Sequence, residues 1–258
     1  MKKKVVAIIL AAGQGRRMNT SVAKQFLILE DKPVLYYSIK AFEDSLVDEI
    51  IIVVSRGQID YCTRNIIEPY GFNKVIHIIE GGEERYDSVF GALRAIIHSD
   101  YVLIHDGARP FVSSTLINEV IDVVKESKAC IVAVPVKDTI KIVDKHGWII
   151  DTPDRAPMWS AQTPQAFDYP SIKRAYELLF EQDESERNVV TDDAMVYERF
   201  INSSVRIVIG DYYNIKLTTQ EDLAIAQCIY NWMLCIKAEE SQNPLNCKEI
   251  KNNSKMNK

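Results

Sequence analysis

Six short runs of aliphatic and β-branched residues constrain the fold of this chain more than any other feature. Each run is apolar at consecutive positions, as in strands that are covered on both faces of a parallel sheet. Amphipathic helical periodicity lies between them, over residues 32–44, 86–98 and 113–127. The alternation predicts βαβ units in a doubly wound, mostly parallel sheet of the α/β class. The predicted strands are KVVAIIL (4–10), EIIIVVS (49–55), KVIHIIE (74–80), YVLIHD (101–106), CIVAVPV (130–136) and VRIVIG (205–210).

Residues 136–165 interrupt this rhythm with short alternating runs, several prolines and a hairpin turn predicted at 145–147. We predict an arm that projects from the sheet and packs on a second subunit. The last predicted helix covers 218–237, with Thr219 as its N-cap. One domain is therefore expected over residues 1–237, and the polar, aperiodic residues 238–258 are predicted to form a disordered tail.

Composition excludes several classes of protein. The 258 residues are 47% apolar, which is enough for a sizeable core, and the net charge of −5 argues against a nucleic-acid partner. Five scattered cysteines without a CxxC pair favour reduced thiols in the cytoplasm over disulfides or a zinc site. No apolar run approaches the roughly 18 residues of a membrane span. The N-terminal MKKKVVAIILAAG superficially resembles a signal peptide, but its apolar run of about eight residues leads into a glycine loop and predicts a first strand.

The loop after this first predicted strand combines glycines with basic residues. Gly13 and Gly15 allow close backbone approach to a ligand, and Arg16, Arg17 and Lys24 follow. Backbone N–H groups at the carboxyl end of a strand can hold an anion. The loop matches neither a P-loop, since no GK pair occurs, nor a dinucleotide fingerprint, since Met18 replaces the third glycine. From these residues alone, a phosphate site and a solvated basic loop both remain open.

Seven sequence segments, which occur in a fixed order along the chain, indicate the function more specifically than the loop alone. The chain from about residue 4 to 230 resembles the 2-C-methyl-D-erythritol 4-phosphate cytidylyltransferase family of the non-mevalonate isoprenoid pathway, whose fold is Rossmann-like. Ala23 stands where the family usually has a proline. The segments that carry the resemblance are AAGQGRRM, KQF, GGEERYDSV, HDGARPFV, AQTPQAF, TDDA and NIKLTTQEDL.

The resemblance implies that CTP and methylerythritol 4-phosphate react to give a CDP-alcohol and pyrophosphate. Arg17 and Lys24 match positions that stabilise negative charge on the reacting phosphates. Arg155 and Lys216 match positions that hold the substrate phosphate, and Arg155 lies in the predicted arm. No covalent enzyme nucleophile is needed, because the substrate phosphate itself attacks.

The resemblance also implies a nucleotide pocket and a metal ion, and the arm predicted at 136–165 would join two copies of the chain in a homodimer. Mg²⁺ would neutralise the triphosphate, with Asp106 as the main ligand and Asn214 as a weaker candidate. For Asp106, the alternative is an aspartate that caps a turn or a helix. Residues expected to line the CTP site are Ala11, Ala12, Gly13, Gly15, Gly81, Gly82, Glu83 and Ser88. Expected neighbours of the sugar-alcohol phosphate are Arg109, Thr139 and Thr163.

Four further polar residues are expected to have structural roles. An attacking phosphate is already ionised near neutral pH, so His105 is not needed as a base and is predicted to be packed or hydrogen-bonded at a strand end. Thr191 is predicted to cap a helix, and Asp192 and Asp193 are assigned to the structure of its first turn.

Three other functions remain open on the sequence. A ribitol 5-phosphate cytidylyltransferase would keep the whole CTP half of the site, although WSAQTPQAF and TDDA resemble the methylerythritol phosphate family more closely. A non-catalytic nucleotide-binding module could share the fold. A dinucleotide-dependent oxidoreductase is disfavoured by the missing third glycine.

Overall fold

A computed structural model describes residues 2–13 and 23–242 of the chain. The strands are β1 Val5–Ala11, β2 Ile28–Leu29, β3 Lys32–Pro33, β4 Glu49–Val54, β5 Val75–Glu80, β6 Tyr101–Asp106, β7 Ala129–Pro135, β8 Ile142–Val143, β9 Ile149–Asp151, β10 Trp159–Asp168 and β11 Arg206–Ile209. The helices are α1 Val34–Glu43, α2 Ile59–Cys62, α3 Glu68–Tyr70, α4 Arg85–Ala95, α5 Ser114–Ser127, α6 Tyr169–Phe180, α7 Glu184–Arg187, α8 Asp193–Ile201 and α9 Gln220–Gln242. A 3₁₀ turn covers Lys24–Phe26, and a π turn over Thr63–Ile67 joins α2 to α3.

The central sheet has seven strands in the order β11-β7-β10-β6-β1-β4-β5. The β1–β4, β1–β6, β4–β5 and β7–β11 pairs are parallel, whereas β10 runs antiparallel to both β6 and β7. The predicted α/β class with a mostly parallel sheet is confirmed. All six predicted strands lie in this sheet, and the predicted helices over 32–44, 86–98 and 113–127 correspond to α1, α4 and α5.

Both faces of the sheet are buried, which explains why its strands are apolar at consecutive positions. Alternate residues of β1 point to opposite faces. Val5, Ala7 and Ile9 join the core formed with α1 and α5, and Val6 and Ile8 join the core formed with α4, α6 and α8. A smaller cluster around Leu29 and Leu217 packs α9 against the start of α1.

The arm is shorter than predicted. Residues 159–165, which the prediction placed in the arm, belong to β10 and pair with β7 and then β6 inside the central sheet. The arm itself contains the small β8–β9 ribbon, with a turn at Lys145–Gly147 as predicted and Gly147 at φ 86°. The Asp144 carboxylate accepts the backbone N–H groups of His146 and Trp148 and thereby stabilises this turn.

Two helix boundaries also differ from the prediction. The N-cap of α8 is Asp192, whose carboxylate accepts the Met195 N–H, and Thr191 lies one residue outside. Helix α9 begins directly after the predicted cap Thr219, but it continues to Gln242, so residues 238–242 of the predicted tail are helical. Residues 243–258 lie outside the described residues. None of the described helices combines the length and apolarity that crossing a membrane requires.

Candidate active site

The candidate site lies where the order of the parallel strands reverses. The chain passes from β1 outward through β4 to β5, and then places β6 on the other side of β1. The loops after β1 and β6 diverge at this switch point, which is where α/β sheets bind ligands. A cavity of about 320 Å³ opens here. Its walls come from the carboxyl ends of β1 and β6, the 3₁₀ turn, the start of α4 and the segment before α9.

The cavity brings together many of the residues predicted from the sequence. Arg17 and Gly15 lie outside the described residues, as does Arg16. Gly81 lies beside the cavity in an adjoining recess of about 400 Å³, together with Ala12, Gly82 and Glu83. Predicted residues that line the main cavity are Ala11, Ala12, Gly13, Lys24, Gly82, Glu83, Ser88, Asp106 and Lys216.

Close packing shapes the wall formed by the start of α4. A Cβ atom on Gly81 would lie 2.5 Å from the Ala12 Cβ and 2.6 Å from the Ser88 Oγ, so only glycine fits. The Gly82 N–H donates to the Ser88 Oγ, and Glu84 and Asp87 form a capping box at the start of the helix. The small residues thus allow the ends of β1 and β5 to pack closely against the start of α4.

Asp106 is the electrostatic centre of the cavity floor. Its Oδ2 lies 2.9 Å from Lys216 Nζ and 3.5 Å from Arg109 Nε, and its Oδ1 lies 3.6 Å from Arg85 Nε. Burial opposes ionisation, but Arg85, Lys216 and Arg109 together outweigh it and hold the pKa of Asp106 well below its usual range. Asp106 therefore remains a carboxylate at any physiological pH.

The backbone around Asp106 is fixed by a buried hydrogen-bond chain. The Asp106 N–H donates to Thr163 Oγ1, and this hydroxyl lies 3.0 Å from His105 Nδ1. His105 Nε2 lies 3.4 Å from the Arg109 carbonyl oxygen. Because a carbonyl only accepts, Nε2 carries the ring proton and Nδ1 accepts from Thr163.

The environment of His105 agrees with the packed, hydrogen-bonded role predicted from the sequence. Complete burial lowers the pKa of His105 to about 3, so the ring is neutral. The hydroxyl of Thr163, which was expected near the substrate, is occupied by its contacts to His105 and Asp106.

A second cavity, of about 520 Å³, adjoins the first at Lys216. Arg109 and Asn214 line it, together with β10 residues and the root of the arm. Asn214 is fully buried, and its amide nitrogen donates to the Thr163 carbonyl. Its Oδ1 has no hydrogen-bond partner within the described part of the chain. The two cavities together could hold two ligands whose reacting ends meet near Lys216.

Two predicted residues are placed elsewhere. Arg155 lies on the arm, where its Nη1 donates to the Lys137 carbonyl at 2.6 Å. Thr139 is exposed on the same arm. Neither lines a cavity in the described part of one chain, although Arg155 contacts Lys137 and Thr139 lies between Asp138 and Ile140, which border the second cavity. Within one chain, these two residues therefore lie at the edge of the second cavity and not inside it.

Sequence reasoning missed Arg85, which lines the first cavity and contacts Asp106. In the sequence, Arg85 lies among the charged residues Glu83, Glu84 and Asp87, a pattern that is typical of a solvated turn. Its main partner, Asp193, is 108 residues further along the chain, so no local pattern reveals the pair.

The fold and these cavities define a nucleotide-binding α/β protein. Comparison with known proteins gives the particular family. The model of the 2-C-methyl-D-erythritol 4-phosphate cytidylyltransferase family matches residues 5–231. The chain belongs to this family, as the seven sequence segments predicted, and is a nucleotidyltransferase.

Individual relatives are similar to this chain in sequence or in structure over most of its length. The cytidylyltransferase of this name from Lachnoclostridium phytofermentans is 53% identical over 227 residues, which cover 88% of this chain and 96% of the relative. The one from Lachnospira eligens is 50% identical, with 85% and 96% covered. The crystal structure of 4-diphosphocytidyl-2C-methyl-D-erythritol synthase from Anaerococcus prevotii has a TM-score of 0.78 and 35% identity, covering 89% of this chain and 96% of that one.

Proposed function

We propose that this chain transfers a cytidylyl group from CTP to 2-C-methyl-D-erythritol 4-phosphate and releases pyrophosphate. An oxygen of the sugar-alcohol phosphate attacks the α-phosphorus of CTP, and the bond from this phosphorus to the bridging oxygen of the β-phosphate breaks. The observation that carries the proposal is the convergence of Lys24, Asp106 and Lys216 in one cavity at the switch point, in a member of this family.

Fixed positive charge is the main catalytic contribution proposed for the protein. Negative charge develops on the phosphate oxygens during in-line displacement, and cations that are already in place stabilise it. We assign this role to Lys24, which lines the cavity, and to Arg17, which precedes it in the sequence and lies outside the described residues. Lys216 borders both cavities and would hold the attacking phosphate next to the α-phosphorus.

The recess beside β1 and α4 is proposed as the site of the cytosine ring. A flat base fits against small residues, and backbone groups can then reach its amine and carbonyl. Residues assigned to CTP are Ala11, Ala12, Gly13, Gly15, Gly81, Gly82, Glu83 and Ser88. Tight packing at Gly81 and the Ser88 hydrogen bond keep this wall rigid, which supports discrimination between bases.

The second cavity is proposed to bind the sugar-alcohol phosphate. Arg109 and Lys216 supply positive charge there, and Thr163 helps to shape its inner end through the Asn214 contact. We propose that Arg155 and Thr139 reach this cavity from the arm of a second copy, in a homodimer. The arm exposes Trp148, Ile149 and Ile150 by 75%, 60% and 65%, an apolar surface that a partner subunit would cover.

A divalent metal ion, Mg²⁺, is proposed at the floor of the first cavity. Asp106 fits this role because it is ionised, lines the cavity and can offer an oxygen to a hard cation. The buried Oδ1 of Asn214, which has no partner in the described part of the chain, is proposed as a weaker second oxygen donor from the side of the second cavity. When bound, the ion would neutralise triphosphate charge and make the α-phosphorus more electrophilic. Phosphates and water would complete its coordination.

The proposed location is the cytoplasm. The cysteines among the described residues, Cys62, Cys130, Cys228 and Cys235, are free thiols, which favours a reducing compartment.

A turnover assay with defined substrates tests the activity. We expect pyrophosphate release with CTP, 2-C-methyl-D-erythritol 4-phosphate and Mg²⁺, loss of activity with EDTA, and recovery when Mg²⁺ is restored. The other nucleoside triphosphates and ribitol 5-phosphate are the matched controls. Faster turnover of ribitol 5-phosphate would contradict the proposed substrate, and activity that survives thorough chelation would contradict the metal.

A further inference from the structure

Arg85 lies between two carboxylates at the floor of the first cavity. Its Nη1 and Nη2 donate to the two oxygens of Asp193, at 2.9 and 2.6 Å. Arg85 lines the cavity, and its Nε lies 3.6 Å from Asp106 Oδ1. The fork of the guanidinium is thus held by Asp193, and its Nε end forms an ion pair with Asp106.

Asp193, which binds the guanidinium of Arg85, is itself held in a fixed position. Asp193 is fully buried, and its Oδ1 also accepts the hydroxyl of Tyr176 at 2.6 Å. The start of α8 is fixed in turn, because Gln165 of β10 donates to the Asp192 carboxylate and accepts the Ala194 N–H. Arg85 is therefore tied to α6, α8 and β10 rather than to a surface loop.

The other cations around Asp106 are placed differently. The Lys216 side chain is 36% exposed and borders both cavities, so it can turn towards a phosphate. Arg109 borders the second cavity and donates to the Asn214 carbonyl. Once these two groups engage the substrate phosphates, Asp106 loses much of their attraction. Arg85 stays, because Asp193 keeps it in place.

We infer that Arg85 is a positioning residue, which holds the Asp106 carboxylate in the orientation that a metal-bound triphosphate requires, and that Asp193 is the group that fixes Arg85. This inference rests on the proposed function. A carboxylate that carries a metal is most effective when a second group fixes its direction, and losing such a group commonly weakens metal binding or activity about 10- to 100-fold. Lysine cannot replace Arg85, because it cannot reach two carboxylates with a rigid fork.

The inference also accounts for two sequence segments that share no local pattern. Arg85 belongs to GGEERYDSV and Asp193 to TDDA, and the fold joins the two segments directly behind Asp106. The TDDA segment thereby acquires a connection to the site, although its side chains do not line the cavities.

Calorimetric binding of CTP with and without Mg²⁺ tests the inference separately from turnover. For Arg85→Lys and for Asp193→Asn, we expect affinity for CTP with Mg²⁺ to fall about 10- to 100-fold. Affinity for CTP in EDTA should change by less than about threefold, because Arg85 acts through Asp106 and not on the nucleotide. The matched control is Arg199→Lys on α8, an arginine that pairs with Glu186 at the surface and should change neither affinity.

Two other outcomes of the binding experiment would contradict the inference. Equal loss of affinity with and without Mg²⁺ would mean that Arg85 contacts the nucleotide directly, and unchanged affinity would mean that it has no role at the site. If Arg85→Lys fails to fold, as judged by its thermal transition, Tyr176→Phe removes one hydrogen bond to Asp193 and is compared in the same way. A wild-type protein that binds CTP equally with and without Mg²⁺ would also overturn the inference, while wild-type turnover separately tests the proposed activity.

Discussion

At the carboxyl end of β6, Asp106 carries its charge in a place where burial alone would favour the neutral acid. Three cations make the ionised form the stable one. The sequence predicts Asp106 and Lys216 as site residues because each stands in a recognisable segment near the end of a strand or before a helix. It does not predict that the two touch, nor that Arg85 joins them, because these contacts depend on tertiary packing.

At the scale of one residue, a substitution of Lys24 gives the most direct test of the proposed stabilisation of phosphate charge. We expect Lys24→Ala to lower kcat about 10²- to 10³-fold, because one fixed charge on the developing phosphate oxygens is lost. Affinity for CTP should fall much less, since the contact strengthens mainly in the transition state. Steady-state kinetics and CTP calorimetry on the same preparation measure both effects.

Lys32→Ala is the matched control for this change, because Lys32 lies near in sequence but pairs with Asp31 outside the cavities. Near-normal kcat for Lys24→Ala, or an equal loss in kcat and in CTP affinity, would contradict the role assigned to this lysine.

At the scale of elements, strand runs and helix periodicity were sufficient to predict six strands and three of the sheet-packed helices. Strand β10 was missed because it is polar where a buried strand is normally apolar. Gln162, Thr163 and Gln165 are buried in it, and each is satisfied by a partner from a distant segment. Its register also shifts between Ala161 and Gln165, which removes the simple alternation. Only the fold supplies the partners that make such a strand stable.

The start of α4 allows a prediction about one element. Asp87 accepts the Glu84 N–H at 2.9 Å and closes the capping box beside the proposed base site. We expect Asp87→Ala to lower the free energy of unfolding by about 1 kcal/mol. The KM for CTP should rise as well, because residues 82–84 line both the first cavity and the adjoining recess. Chemical denaturation and initial-rate kinetics measure the two effects.

Asp122→Ala serves as the control, because Asp122 is exposed on α5 and pairs only with Lys125 among the interactions described for it. A variant at Asp87 that loses stability but keeps its KM for CTP would separate the cap from the binding site.

At the scale of the whole molecule, the first cavity and its recess contain the described residues proposed for CTP, while Arg155 lies on the arm and lines neither cavity. If a partner's arm completes each site, two variants that are impaired in different halves of the site can complement one another. We expect Arg155→Ala alone to raise the KM for the sugar-alcohol phosphate. Mixing Lys24→Ala with Arg155→Ala under conditions of subunit exchange should restore about a quarter of wild-type sites, since half the dimers are mixed and each has one intact site.

Activity at low concentration of the sugar-alcohol phosphate measures this recovery, and light scattering measures the oligomeric state. Lys145→Ala at the arm's turn, mixed in the same way with Lys24→Ala, should behave as wild type mixed with Lys24→Ala. A monomer in solution, or no gain on mixing despite proven exchange, would contradict a shared site.

The way in which β10 returns to the sheet has a consequence for how this molecule can change. Pro135 at the end of β7 pairs with Trp159 at the start of β10, and the Val136 N–H donates to the Met158 carbonyl. Residues 137–157 therefore leave the central sheet and return to it at the same pair of strand ends. Such an insert can change in length or sequence as one unit while the strands that carry the nucleotide half of the protein keep their pairing.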